Sequence, residues 1–75
     1  MSQSFPLSIF CRNVHNLRLR HGLSLLEMAG LLEITGAELA AIESGYVPRS
    51  VTVDVLFCIQ RRFGIRPSQM VEPLF

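Results

Sequence analysis

The sequence predicts an all-α fold: one domain of five short helices over residues 7–75, preceded by a flexible end at residues 1–6. Three observations predict it. Apolar residues recur mostly at three- and four-residue spacing, the period of a helix with one buried face. Ser24 with Glu27 and Thr35 with Glu38 have the Ser/Thr-x-x-Glu form of a capping box. Gly22, Gly45 and Gly64 stand where helical runs should stop.

Residues 7–21 place Phe10, Val14 and Leu17 on one face, with Cys11 and Arg18 beside them. Gly22 ends that helix, and Ser24 caps the next, which runs to about Leu32 and turns Met28, Ala29 and Leu32 inward, with Leu25 at its start. Thr35 caps a third helix over residues 36–44 that buries Leu39 and Ile42 before Gly45. Residues 46–51 form a loop containing Pro48.

The signal in residues 52–63 is mixed. Val51, Val53 and Val55 alternate with polar residues as in a strand. Val53, Leu56, Phe57, Gln60 and Phe63 fit a helix face, and the length of the run together with Gly64 favours the helix. A strand there would make a winged-helix protein instead. Pro67 opens a short last helix that Pro73 closes.

Composition narrows the function. Seventy-five residues make one small domain, and 49% apolar content argues against disorder. Some of that apolar surface exceeds what so small a core can hold, which suggests a partner surface. The net charge is only +1, without the basic excess common in nucleic-acid modules. All seven basic residues are arginines, which suit phosphate contacts and buried carboxylate pairs equally.

Two cysteines, Cys11 and Cys58, read as reduced core groups, and with His15 and His21 they make neither a metal site nor a catalytic constellation. No cofactor and no enzymatic activity are expected. There is no secretory signal and no run near the ~20 apolar residues of a membrane span, so a cytoplasmic protein is expected.

Residues 17–45 resemble the phage-repressor type of helix-turn-helix, the Cro/C1 or XRE-like family. Leu17 and Arg18 match its leucine–arginine pair, and residues 22–24 match the junction before the first motif helix. Ala29 sits at its small-residue position; Met28, Leu32, Ile34, Leu39 and Ile42 fill the apolar positions; residues 42–45 match its isoleucine–glutamate–x–glycine ending. The resemblance implies a five-helix, lambda-repressor-like DNA-binding domain from a bacterium or phage, acting as a dimeric transcriptional regulator on duplex DNA.

It also implies roles. Arg18 and Glu43 would form a partly buried structural ion pair. The third helix would enter the major groove with Gly36, Ala37, Glu38 and Ala41 towards the bases. Ser24, Leu25, Thr35, Tyr46, Arg49 and Ser50 would lie along the backbone. Leu25 departs from the family's usual glutamine, and Glu33 replaces the usual turn glycine, which requires a strained or differently shaped turn.

Alanine can touch a thymine methyl but makes no bidentate hydrogen bond, so direct readout is weak and shape readout gains weight. Arg61, Arg62 and Arg66 read as helix-end charges on a solvated face. The alternative function is a protein-interaction module on the same scaffold. Leu19, Leu26, Leu31, Val47 and Phe75 are its interface candidates, also for a homodimer.

Overall fold

The computed structural model describes residues 7–47 and 52–74. These residues form five helices and no strand: α1 (Leu7–Arg20), α2 (Leu25–Leu32), α3 (Gly36–Glu43), α4 (Thr52–Phe63) and α5 (Pro67–Met70). The helical reading of residues 52–63 therefore holds, and the strand that a winged-helix protein needs there is absent. No helix among the described residues is long and apolar enough to cross a membrane.

α2 packs on both α3 and α4, α1 packs on α3 and α5, and α4 also meets α5. Their shared core holds Phe10, Val14 and Leu17 from α1, Met28, Ala29 and Leu32 from α2, Leu39 and Ile42 from α3, and Met70 from α5. α4 adds Val55, Cys58 and Ile59. Burial pushes the Cys11 thiol above its ordinary range, so this group behaves as a core filler.

The inward face of α4 corrects the sequence reading. Val53 and Phe57 are 59% and 53% exposed, and Gln60 is exposed as well; only Leu56 and Phe63 of the expected face are partly buried. At ~100° per residue, Val53–Phe57–Gln60 and Val55–Ile59 are two apolar-rich faces on different sides of one helix. The second face wins because it brings three side chains into the core at once.

Three helix ends share one device. The N–H two residues beyond each helix's last full turn donates back over five residues: Leu23 to Arg18 O at 3.1 Å, Ile34 to Ala29 O at 3.0 Å and Tyr46 to Ala41 O at 2.9 Å. This six-to-one bond needs a left-handed residue, and glycine provides it after α1 and α3. After α2 the residue is Glu33, with φ 62° and ψ 38°. The device returns Leu23 and Ile34 to the core, where both are partly buried.

Asn13 is the buried polar residue that the sequence reading did not identify, only 2% exposed. Its Nδ2 donates to Met70 O and Glu72 O, both at 2.8 Å, and its Oδ1 accepts from Leu74 N at 3.4 Å. One side chain thus docks the segment after α5 onto α1.

Two stability predictions follow from these positions. Glu33→Gly removes a left-handed strained residue whose ion pairs to Arg61 and Arg62 are long and exposed. It should raise stability by about 0.5–1 kcal/mol in thermal or chemical unfolding. Asn13→Leu leaves the Met70 and Glu72 carbonyls without their donor and should lower stability by about 2–3 kcal/mol in the same assay.

Candidate functional site: the α2–α3 face

Two capped helices of eight residues each, α2 and α3, make the candidate surface. Ser24 Oγ accepts from Glu27 N at 3.1 Å, while Glu27 Oε1 accepts from Ser24 N at 2.8 Å. Thr35 and Glu38 repeat the arrangement at 3.0 and 2.9 Å. Both boxes read from the sequence are therefore formed. They tie Glu38 Oε1 to the start of its own helix.

The orientation of α3 is fixed from behind. Glu43, at its last turn, accepts two bonds from Arg18 on α1, Nε to Oε2 at 2.7 Å and Nη2 to Oε1 at 2.9 Å. The third guanidinium nitrogen, Nη1, donates to Leu23 O at 3.1 Å. His15, also on α1, donates from Nδ1 to Glu43 Oε1 at 2.7 Å. The sequence-derived pair is thus a three-residue cluster, with Arg18 and Glu43 side chains 16% and 10% exposed and His15 at the rim.

Burial would raise the Glu43 carboxyl, but hydrogen bonds from Arg18 and His15, with their charges, outweigh it and hold it below the usual carboxylate range. The hydrogen bond to Glu43 holds the Arg18 guanidinium proton more tightly than usual. The cluster is a clamp between α1 and the end of α3, with both carboxylate oxygens occupied.

On the outer side, Ala37 and Ala40 are exposed, while Gly36, Glu38 and Ala41 are partly covered. A Cβ placed on Gly36 would stand 2.9 Å from Leu26 Cδ2, so the Leu26 side chain, 73% exposed, lies across the start of α3. Tyr46 is 66% exposed just past α3. The described part of this face is therefore small and apolar, edged by two capping glutamates and a phenol.

The remaining sequence candidates divide. Ser24 and Thr35 act as caps; Leu25 is partly buried against the core, which withdraws it from the backbone-facing role its position implied. An apolar side chain on the first turn of α2 gains more by folding inward than by meeting water or phosphate. Leu19 is exposed, at 54%, whereas Leu31 is only partly so. Val47 is partly buried against the core rather than presented as free surface. Arg49, Ser50 and Phe75 lie outside the described residues.

Arg61 and Arg62 approach Glu33 at 3.4 and 3.9 Å, and the His21 ring lies against Phe63 with centroids 4.9 Å apart. Among the described residues no group of three or more His, Cys, Asp or Glu is placed to hold a metal ion. Comparison with models of known families, with characterised proteins and with solved structures finds no match to this chain.

The clamp makes a pH prediction. Because Glu43 titrates lower in the folded chain than the ~4.3 of an unfolded glutamate, its contribution is complete above that value. It is lost as pH falls through the lower, folded value. Between about pH 5 and pH 2.5, melting temperature should fall more steeply for the native protein than for Glu43→Gln, which keeps the shape but cannot titrate. Parallel curves would remove Glu43 from the acid response.

Proposed function

We propose that this chain is a helix-turn-helix DNA-binding domain of the phage-repressor type, acting as a dimeric transcriptional regulator. The observation that carries the proposal is the α2–α3 pair: two capped helices, a short turn and a small exposed face on the second helix, oriented by a partly buried Arg18–Glu43 clamp. In such an arrangement the second helix enters the major groove and the helix starts lie near phosphates.

On this reading the contact is unusual in kind. Ala37, Ala40 and Leu26 offer no hydrogen bond to a base edge, so discrimination falls to thymine methyl groups and to DNA shape. Glu27 and Glu38 oppose phosphate approach, and the chain's net charge of +1 supplies little long-range attraction. Affinity should accordingly be modest.

One observation favours a second reading, a protein-interaction module on the same scaffold. The uncharged front built from Leu26, Ala37 and Ala40 is as well suited to an apolar partner as to a groove.

Titration of the chain against random duplex pools at two salt concentrations separates the readings. The DNA reading expects affinity to fall between about 10- and 100-fold from 50 to 200 mM salt, for roughly two to four phosphate contacts. It expects Ala37→Glu to abolish binding while leaving the melting temperature within about 3 °C, because the position is an exposed helix surface. Replacing thymine by uracil in a selected duplex should weaken binding about fourfold for each methyl contact removed. No duplex binding even at low salt would leave the protein-interaction reading.

A further inference from the structure

The outer side of α4 belongs to neither the core nor the α2–α3 face. Val53 and Phe57 stand there one turn apart, each more than half exposed. Phe57 borders a groove of about 320 Å³ lined by Leu32, Glu33, Asp54, Phe57, Cys58 and Arg61. Leu32 and Cys58, both buried, give the groove an apolar floor.

The charges on this face have an order. On a helix the surface neighbours of Phe57 are the residues three and four positions away: Val53, Asp54, Gln60 and Arg61. Asp54 lies on the N-terminal side and Arg61 on the C-terminal side, roughly 10 Å apart along the axis. Among the described residues Asp54 has no ion pair within the chain, and Arg61 Nη2 makes only long contacts, 3.4 Å each to Glu33 Oε2 and Cys58 Sγ, with the Arg61 and Glu33 side chains 60% exposed.

We infer that this face pairs with the same face of a second copy, α4 against α4 and antiparallel, about a two-fold axis beside Phe57. A two-fold contact brings residue i of one copy to residue j of the other, and j to i. Antiparallel pairing reverses the order of the charges, so Asp54 of each copy meets Arg61 of the other. Two opposite-charge pairs then flank an apolar centre in which each Phe57 ring enters the groove beside its counterpart. A parallel arrangement would oppose Asp54 to Asp54 and Arg61 to Arg61.

The face is complementary to itself, and that selects a second copy as its occupant. The inference deepens the dimeric part of the proposed function and does not depend on the DNA part. Two exposed apolar side chains and one groove fall well short of the ~800 Å² per partner of a standard interface, so the dimer should be weak, with a Kd on the order of tens of micromolar.

Sedimentation equilibrium of the full chain over a concentration series tests it. The mass should rise from 8.4 kDa toward twice that value. Phe57→Ser and Arg61→Asp should each weaken association roughly tenfold or more, with helical circular dichroism retained, because both positions are exposed. Combining Asp54→Arg with Arg61→Asp should restore association to within about threefold of the native protein, since both cross-copy pairs become opposite in charge again.

A chain that stays monomeric up to about 1 mM, well over tenfold above the expected Kd, overturns the inference. So does association unchanged by Phe57→Ser, or a double variant no better than Arg61→Asp alone. A monomer that still binds duplex DNA would overturn this dimer and leave the DNA reading standing. A charge-swapped dimer with no duplex affinity would do the reverse.

Discussion

The Glu43 carboxylate is the point through which α1 and α3 are held in one geometry. Both of its oxygens are engaged by α1, from Arg18 twice and from His15 once, and the same guanidinium also holds the Leu23 carbonyl at the end of the α1–α2 turn. One charged cluster therefore fixes three things: the tilt of α3, the path out of α1 and the start of α2. Removing either partner would leave a poorly solvated charge, which is more damaging than losing an exposed pair. Apolar packing holds the helices together, but it is comparatively indifferent to a small rotation of α3. Bidentate hydrogen bonding is directional, and supplies the angular restraint that packing lacks.

That restraint is applied to a face with little chemistry of its own. The acidic side chains at the starts of α2 and α3, Glu27 and Glu38, are engaged as caps, and the outward positions carry alanine or are shielded by Leu26. A helix with such a surface depends on shape and on where it is held. Rigid support from behind and small residues in front are then complementary: what the face lacks in hydrogen-bonding groups must come from accurate placement. This holds for a groove in DNA under the proposed function, and equally for an apolar protein partner.

How much was legible in the sequence varies with the kind of signal. The buried faces of α1, α2 and α3 followed from a single helical period, and both capping boxes from a three-residue spacing, because these are local effects. The inward face of α4 was misread because Val53 and Phe57 on one side compete with Val55, Cys58 and Ile59 on another, and period alone cannot rank two faces. The Arg18–Glu43 pair, 25 residues apart, came from the family resemblance, which gives position 15 no role, so nothing pointed to His15, 28 residues from Glu43. Asn13 carries no local signal of burial; only its distant carbonyl partners make it a core residue. Glu33 was legible as a conflict, a side chain where the turn calls for glycine, and its positive φ is that conflict realised.

Asn13 also ties the first helix to residues that are made last. Its partners lie 57 to 61 positions further on, so a ribosome that has already made α1, α2 and α3 has produced a helix with an unsatisfied amide on its apolar face. Until the residues around Leu74 are made, water is the partner open to that amide in place of the Met70 and Glu72 carbonyls. At synthesis rates of about 5–20 residues per second the wait is seconds, long compared with helix formation. The core contact between α1 and the segment after α5 is thus one that only the nearly finished chain can make.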